Sequence, residues 1–547
     1  MLMRLQSHCR VLFLLCFFSS ISPAQWYANG VAICDTSSSG SQDLLPVISP
    51  DGNGGAYVVW RDARGGTGYD VFCQRIDSLG MVQWQRNGIP VIQAPNDQDF
   101  PRVCTNGDGG LFVAWEDTRI ATTTYIYAQR LTSMGQQVWP DSGVRVSEMP
   151  GLFASIASDK RGGLLVAWNF LDGISRDDVF AQRLDSTGTP VWGDSGVYVS
   201  TRPEGVSSNE ISIMSDLNGG AIVSWIEGNA TFSQRIDSTG NPLWTNNGIS
   251  LSGTSLYSRF ALAQVPDGSG GAIDTWTRSP NTGVYLQRVS SSGQIMFPDT
   301  GLYVDNGGSA RQMVADDNGN SFVLVGAAPN SLKVYQIDNS GNKIQPSGSN
   351  VSSQMGIQET AMASDGAGGV FCTWSKIDSN ETNIYSQWND ASGSTQYFPD
   401  GSILCNAASL QEYPVLANTG FRQAIAVWGD HRNSGYWSIY AAKLSTTGVV
   451  SVRTKSNVLP SSFRLFQNYP NPFNPSTVIE FQVDKREYVV VEIVNILGER
   501  VKSLFKGVAE VGLHRIVWDA RGFPSGVYFC RIIAEGISAS RKMVLVR

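Results

Sequence analysis

The chain has 547 residues, of which 42% are apolar, 16% are charged and 57 are glycine. This profile is typical of a β-rich globular protein with many turns, and it argues against coiled coils, long helical bundles and intrinsic disorder. The net charge of −7 and the lack of a Lys/Arg-rich run argue against nucleic acid as the main partner, because phosphate binding needs a basic face. Only three histidines are present, which argues against a histidine-built metal site or a histidine general base.

The first 24 residues have the pattern of an export signal. Two arginines accompany a short apolar segment at 11–18, and Ser22-Pro23-Ala24 supplies small residues for cleavage. The apolar segment is too short to span a bilayer as a helix, and no other stretch approaches that length. We therefore predict a signal peptide at 1–24 and a mature protein outside the cytoplasm, with no transmembrane segment.

The middle of the chain repeats one unit eight times, at about 53 residues per copy. Each unit has a D-x-x-G-G turn, an apolar strand that ends in Trp, a second strand with a Gln-Arg pair, and a polar loop before a last short strand. The longest spacing, 98 residues, contains a degraded copy in which Val325 stands in place of Trp. The tryptophans that end the apolar strand lie at positions 60, 115, 168, 225, 276, 374 and 428.

Each copy is predicted to form four strands, and the strand before Trp60 is apolar on both of its faces. A repeated sheet that is covered on both faces is typical of a β-propeller, in which each blade lies between two others. Residues 25–31 (QWYANGV) match residues 83–89 (QWQRNGI), whereas the eighth copy lacks this segment at its end. We therefore predict an all-β, eight-bladed propeller over 25–448 whose N-terminal strand completes the last blade. An open solenoid or two smaller propellers are the alternatives.

Two polar features recur in nearly every copy: the Gln-Arg pair, as at 74–75, and the first turn residue, as at Asp51. Because a catalytic site needs one asymmetric constellation, a feature present in nearly every blade is expected to be architectural. A calcium site in these turns is the alternative, although they lack the acid density of an EF-hand loop. The sequence therefore indicates no metal site and no cofactor.

The last part of the chain changes in charge and pattern. Residues 461–547 contain 12 Lys/Arg and 8 Asp/Glu, a net charge of +4, and a weakly patterned segment precedes them. Short apolar strands separated by turns predict a small antiparallel β-sandwich at 461–547, after a linker at 449–460.

Four segments in this part carry a family resemblance: NYPNPFNPST, VEIVNILGERV, WDARGFPSGVYF and the terminal RKMVLVR. Together they resemble the type A C-terminal sorting domain of type IX secretion clients. The resemblance implies a Bacteroidota-like diderm, the type IX machinery as partner, periplasmic transit and delivery outside the outer membrane, often with cleavage of the tail. An ordinary accessory β-domain is the alternative. The sorting motif consists of Asn468, Tyr469, Pro470, Asn471, Pro472, Phe473, Asn474 and Pro475.

Three copies share a W-x-D-x-R sequence in the loop after the Trp-ending strand, and these copies (one, two and eight) become neighbours if the ring closes. Their Asp–Arg pairs either pin each loop locally or form one recognition patch for a glycan or peptide, and nearby aromatic residues can stack on such a ligand. The candidate ligand residues are Asp62, Arg64, Asp117, Arg119, Asp430, Arg432, Tyr436 and Trp437.

No catalytic motif stands out. The chain has no G-x-S-x-G, H-E-x-x-H or Walker-type sequence, and no acidic pair is singled out for glycoside hydrolysis. The six cysteines that follow the signal occupy different repeat positions, so they suggest no disulfide framework. We therefore predict a monomeric, non-catalytic binding module. The alternatives are a secreted carbohydrate-active hydrolase and a structural or adhesive surface protein.

Overall fold

The computed structural model describes residues 26–35, 44–66, 68–120, 123–171, 177–200, 208–253, 259–278, 283–316, 318–327, 331–378, 381–433, 436–450, 463–483, 485–495, 500–534 and 537–546. The predicted signal peptide and most of the predicted linker lie outside these residues. Within them, the secondary structure consists of 40 β-strands. None of the described elements is a helix long and apolar enough to cross a membrane.

Eight antiparallel sheets form the larger part of the fold, and we number them as blades 1 to 8 in chain order. Blade 1 contains β2 Val47–Pro50, β3 Ala56–Asp62, β4 Asp70–Ile76 and β5 Ile89–Ile92, and blade 2 contains β6 Gln98–Thr105, β7 Leu111–Asp117, β8 Tyr125–Leu131 and β9 Val144–Arg145. Blade 3 contains β10 Leu152–Ser158, β11 Leu164–Leu171, β12 Asp177–Leu184 and β13 Val197–Ser200, and blade 4 contains β14 Ser208–Ser215, β15 Ala221–Glu227, β16 Ala230–Ile236 and β17 Ile249–Ser250. Blade 5 contains β18 Arg259–Pro266, β19 Ala272–Arg278, β20 Gly283–Val289 and β21 Leu302–Asp305, and blade 6 contains β22 Gly308–Ala315, β23 Ser321–Ala327, β24 Ser331–Ile337 and β25 Ser349–Ser352. Blade 7 contains β26 Ile357–Ser364, β27 Val370–Asp378, β28 Glu381–Asn389 and β29 Ser402–Cys405. Blade 8 contains β30 Gln411–Gly420, β31 Gln423–Asn433, β32 Tyr436–Ser445, β33 Gly448–Val450 and the N-terminal strand β1 Val31–Cys34.

The ring is closed by the N-terminal strand, as predicted. Strand β1 pairs antiparallel with β32, with Val31 opposite Ala441. The first strand of each blade contacts the first strand of the next, and β30 of blade 8 contacts β2 of blade 1. The strand begins at Val31, after a turn at residues 27–30 in which the amide of Gly30 donates to the carbonyl of Tyr27 at 3.1 Å.

Trp26 reinforces this closure by the same contact that other blades use. Its indole Nε1 donates to the carbonyl of Ser78 in blade 1 at 3.1 Å. Trp139 and Trp192 donate in the same way to Ser186 and Ser238, across the seam of blades 2 and 3 and the seam of blades 3 and 4. The N-terminal segment thus repeats an interblade contact rather than making a special one.

The hydrophobic core lies between neighbouring blades. In blade 1, Val58 and Trp60 pack toward blade 8, whereas Tyr57 and Val59 pack toward blade 2. The tryptophans that end the apolar strand are fully buried. In blade 6 the aromatic ring is supplied by Tyr335 of β24, which lies against Gly348 in the place where Trp60 lies against Gly88.

The recurrent polar residues are braced within each blade. The carboxylate of Asp51 accepts hydrogen bonds from the amides of Asn53 and Gly55, both at 2.8 Å, and pairs with Arg75 at 2.8 Å. The Gln74 side chain accepts from the amide of Trp84 at 3.0 Å and donates to the carbonyl of Gln85 at 2.7 Å. These contacts support an architectural role for both features.

The C-terminal part forms two packed antiparallel sheets, which gives the predicted sandwich. One sheet has the order β34-β35-β38 and the other β37-β36-β39-β40. In the sorting motif, Asn468 donates to the hydroxyl of Thr477 at 2.8 Å, and Phe473 packs on Trp518 inside the sandwich. The strands are β34 Phe463–Leu465, β35 Ser476–Val483, β36 Glu487–Val494, β37 Arg500–Ala509, β38 Gly512–Asp519, β39 Gly526–Ala534 and β40 Ile537–Leu545.

Candidate functional site

One face of the ring carries both the starts of the innermost strands and the ends of the second strands. In blade 8, Gln411 at the start of β30 lies opposite Asp430 near the end of β31. In blade 2, Gln98 and Asp117 have the same relation. The W-x-D-x-R loops and the mouth of the central channel are therefore on the same face, which we call the loop face.

The three Asp–Arg pairs on this face are locally bonded. In blade 2, Asp117 accepts a hydrogen bond from Trp115 Nε1 at 2.7 Å and from the amide of Arg119 at 2.9 Å, and its carboxylate also pairs with the guanidinium of Arg119. Asp62 with Arg64 and Asp430 with Arg432 repeat this arrangement. All three carboxylates are fully buried.

The arginines of these pairs also join blades. Arg432 Nη2 donates to the carbonyl of Asn29 at 2.8 Å and contacts Cys405 Sγ in blade 7 at 3.1 Å, and its guanidinium lies 3.7 Å from the ring centroid of Tyr440. Arg64 contacts Cys34 Sγ in β1 at 3.2 Å. The structure thus places the pairs at equivalent positions in three neighbouring blades, toward the outer strands, where they tie loops to blade seams.

The two aromatic candidates differ in exposure. Tyr436 is 42% exposed, whereas Trp437 is only 6% exposed. The Trp437 ring packs beside His431 and Tyr413, with centroid distances of 5.3 and 6.3 Å. Trp437 therefore offers little surface for stacking on a ligand, and Tyr436 is the more accessible of the two.

A pocket of about 230 Å³ lies at the mouth of the channel, where the innermost strands begin. Its walls come from blades 7, 8, 1 and 2 and combine apolar side chains with one arginine and one glutamate. The lining residues are Leu45, Pro46, Val47, Phe100, Pro101, Arg102, Glu359, Tyr413, Pro414 and Val415. We call it the axial pocket.

Three wall residues of this pocket have a strained backbone, as do residues elsewhere in the ring such as Phe153 in blade 3 and Ala261 in blade 5. Leu45, Phe100 and Tyr413 have φ values of 42°, 49° and 55°, in the left-handed region that L-residues with large side chains rarely adopt. The Phe100 amide is held by the carboxylate of Asp99 at 2.6 Å, and Asp99 in turn pairs with Arg61 at 2.7 Å. Strain of this kind costs about 1–3 kcal/mol per residue. Because equivalent bulges recur at Phe153 and Ala261, the strain belongs to the repeat, and the axial pocket is the candidate site on the strength of its lining alone.

The acids next to the pocket are engaged by the protein itself. Glu116 accepts a hydrogen bond from the amide of Phe153 at 2.8 Å, and Glu359 accepts one from the hydroxyl of Ser375. Burial raises the pKa of Glu116 to about 7, and the Phe153 amide and Arg102 offset only part of that shift. Arg102 lines the pocket and donates to the carbonyl of Ala154 at 3.1 Å.

Sequence reasoning missed the axial pocket, although a signal was present. The strained residue is followed by proline in Leu45-Pro46, Phe100-Pro101 and Tyr413-Pro414, in the same three copies that carry W-x-D-x-R. A proline after a large residue at the start of one strand in three neighbouring blades marks an irregular strand. At Phe100 the left-handed backbone accompanies a hydrogen bond from its amide to the carboxylate of Asp99, a contact that the sequence pattern does not reveal.

Residues 467–546 match the profile of the "Secretion system C-terminal sorting domain". No curated protein matches the chain. Similar solved structures include a protein of unknown function from Dyadobacter fermentans (9% identity, 77% of this chain and 99% of that one, TM-score 0.35). Another is the α-L-arabinofuranosidase Arb93A from Fusarium graminearum (8% identity, 77% of this chain and 99% of that one, TM-score 0.36). A third is an Aleuria aurantia lectin in complex with Fucα1-6GlcNAc (14% identity, 54% of this chain and 93% of that one, TM-score 0.30).

At TM-scores below 0.5 these structural likenesses carry no argument about function. The sorting-domain match agrees with the resemblance of the NYPNPFNP motif, and it covers the two C-terminal sheets almost completely. The protein is therefore a type IX secretion client that carries a C-terminal sorting domain and is delivered to the cell surface or the extracellular space.

Proposed function

We propose that the propeller is a non-catalytic binding module that presents its loop face outside the cell and takes a glycan or peptide in the axial pocket. The single observation that carries the proposal is the composition of the pocket wall: Phe100, Tyr413 and three prolines, with Arg102 at the edge. Apolar walls with a few polar groups are typical of ligand sites, and such walls suit the apolar face of a sugar ring or an apolar side chain.

The surrounding acids favour binding over catalysis. The carboxylates of Asp62, Asp117 and Asp430 are buried in ion pairs, and Asp99 holds a strained amide. A carboxylate committed to such contacts is not available as a nucleophile or a base. In the proposal, the three Asp–Arg pairs support the loops around the pocket, and Tyr436 extends the face at its rim.

Binding is tested on a glycan array and a peptide library with the protein that lacks the sorting domain, together with its Phe100→Ala variant. Phe153 provides a matched control, since it is a 51% exposed phenylalanine with φ of 57° at the same strand position in blade 3 and does not line the pocket. We expect Phe100→Ala to weaken binding at least about tenfold, the cost of one lost aromatic contact, and Phe153→Ala to leave it unchanged. Equal effects of the two substitutions, at equal thermal stability, would contradict the proposal.

The second candidate function is glycoside hydrolysis, and Glu116 is the observation that favours it. A carboxyl with a pKa near 7 is suited to general acid catalysis, and Asp99 lies directly across the strand pair from Glu116. Retaining and inverting hydrolases both need two carboxyl groups, about 5–9 Å apart. Hydrolysis of any array ligand that disappears in Glu116→Gln would favour this function over simple binding.

The domain boundaries belong to the same proposal: a propeller at 25–448, a linker at 449–460 and the sorting domain at 461–547, in a monomeric protein. The hydrophobic cluster of the C-terminal sandwich is made entirely of residues from 465 onward, which supports a separate domain, although Tyr469 packs on the cluster of blades 1 and 2 and Arg86 lies 4.6 Å from the Phe466 ring centroid. Separate expression of residues 25–460, followed by size-exclusion chromatography with light scattering, tests the boundary and the oligomeric state together. A folded monomer is expected, and an aggregated or dimeric product would contradict the proposal.

A further inference from the structure

The seam between blades 4 and 5 has polar side chains at two positions where the other seams have apolar ones. Asp274 in β19 occupies the position that Val58 holds in blade 1, and its cross-strand partner Gln264 in β18 occupies the position of Ile48. Every other blade has apolar side chains at both positions. They are Val58, Val113, Val166, Val223, Val323, Cys372 and Ala426 at the first, and Ile48, Val103, Ile156, Ile213, Met313, Met362 and Leu416 at the second.

Asp274 is fully buried, and neither of its carboxylate oxygens accepts a hydrogen bond. The hydroxyl of Ser224 in β15 lies close enough to influence Asp274, but it donates to Ser233 in β16 at 2.9 Å and accepts from Gln264 Nε2 at 2.6 Å. The Oε1 atom of Gln264 is also buried without a partner. The polar cluster therefore lacks donors for its acceptor oxygens.

The groups that face Asp274 are uncharged. They are Gln264 and Gln287 on its own sheet, and Ser224 and Ser233 across the seam. Arg259, the charged residue of β18, lies at the other end of that strand and bonds Ser252. The other charged side chains on these strands are engaged elsewhere. Glu210 of β14 accepts from the amides of Ala261 and Leu262, Arg235 pairs with Asp216, Arg288 pairs with Asp267, and Arg278 donates to the carbonyl of Thr300.

A protonated carboxyl resolves this mismatch. It carries no charge, and its hydroxyl is a donor for which the unpaired Oε1 of Gln264 is an acceptor. Burying an unpaired carboxylate is costly, so the group takes up a proton instead. Consistent with this, desolvation raises the pKa of Asp274 to about 7, and Ser224 opposes the shift only in part.

We propose that the seam between blades 4 and 5 is a proton-dependent joint of the ring, closed tightly when Asp274 is protonated and loosened when it is ionised. The joint is independent of the axial pocket, whose walls come from blades 7, 8, 1 and 2. Among the residues that the structure describes, the hydrophobic cluster at this seam is also small, with five buried members: Ile222, Leu251, Ala272, Trp276 and Val289. The ring is therefore expected to open first at this seam.

The direction of the pH effect follows from linkage. Because the folded state binds the proton more tightly than the unfolded state does, Asp274 contributes stability at low pH, and this contribution is lost as the pH rises through about 7. The seam is therefore expected to be tight in mildly acidic surroundings and looser above neutrality.

Amide hydrogen exchange measured by mass spectrometry at pH 6.0 and 8.5, corrected for the intrinsic effect of pH, tests the proposal. Peptides from β15, β16, β18 and β19 should lose protection by roughly tenfold at the higher pH, whereas peptides from β3, β4, β6 and β7 at the seam of blades 1 and 2 should not. The Asp274→Asn variant, which stays neutral, should show no such loss.

Asp274→Val, which restores the residue that blade 1 has at this position, guards against a folding defect of the Asn variant. It should be protected at both pH values. A pH-dependent loss of protection at this seam that persists in both variants would overturn the proposal, and so would equal protection of the wild-type seam at pH 6.0 and 8.5.

Discussion

Blades 8, 1 and 2 and blades 4 and 5 solve the same packing problem with different placements of charge. In the first group each buried carboxylate has an arginine and an indole as partners, as Asp430 has Arg432 and Trp428. In blade 5 the carboxylate of Asp274 is buried among uncharged groups. The repeated blade therefore accommodates buried acids at more than one position. An acid with an arginine partner stabilises a seam, whereas an acid without one makes the seam sensitive to pH.

The largest loss of stability is expected when the strand that closes the ring is removed. Deletion of residues 25–35 removes β1 from blade 8 and Trp26 from its place on blade 1. Burial of one such tryptophan alone is worth about 3–5 kcal/mol, so the melting temperature measured by calorimetry should fall by more than about 5 °C. An unchanged melting temperature would show that the ring does not depend on its first strand.

Deletion of 461–547 is the matched control for that truncation. The melting temperature of the propeller should stay the same, while export stops and the shortened chain collects in the periplasm, because the sorting domain is missing. Cell fractionation measures this outcome. Surface delivery of the shortened chain would contradict the assignment of the tail.

An acid at the blade 1 position equivalent to Asp274 tests whether an unpaired carboxylate destabilises any seam. Val58→Asp puts an unpaired carboxyl into a seam that is otherwise fully apolar, so the free energy of unfolding at pH 8 should fall by about 5 kcal/mol. Chemical denaturation at pH 8 and pH 5 measures the change, which should be smaller at pH 5. A loss of less than about 1 kcal/mol at pH 8 would mean that the seams accept charge readily.

Removing the partnered acid gives a smaller loss. Asp430→Ala leaves the guanidinium of Arg432 and the indole of Trp428 without their main acceptor, and it should cost about 3 kcal/mol in the free energy of unfolding. Asp108→Ala is the control, because Asp108 pairs with Arg130 but its side chain is 68% exposed, and it should cost less than about 1 kcal/mol. Equal costs in urea denaturation would argue against a fastening role for the buried pair.

The smallest effect concerns an exposed turn acid. The pKa of Asp237 falls to about 2, because hydrogen bonds from Asn241 and Thr239 outweigh the opposing effect of desolvation. Its contribution to stability is present above pH 4 and is lost as the pH falls through about 2. Asp237→Asn should therefore lower the melting temperature slightly at pH 6 and not at all at pH 2, and a difference that grows toward pH 2 would contradict this assignment.

The repeat made the ring predictable, since Trp60 and its counterparts, the D-x-x-G-G turns and the match of residues 25–31 to 83–89 specify strands, turns and closure. The site was less predictable. Three W-x-D-x-R loops predicted one candidate patch on one face, but whether their arginines point to a ligand or to Cys34 and Cys405 depends on contacts between distant strands. The sequence did not predict a role for Asp274 for a related reason. Its carboxylate oxygens are buried without hydrogen-bond partners, which is known only once the blades are packed.

The chemical fate of a bound ligand distinguishes a binding module from a hydrolase. A glycan or peptide that binds on the array is incubated with an excess of protein at pH 7 and then recovered for mass spectrometry. A propeller that only binds should return the ligand intact at a stoichiometry of one per chain, with binding at least about tenfold weaker in Phe100→Ala. Recovery of cleaved products from the wild type, and of intact ligand from Glu116→Gln, would contradict the binding proposal.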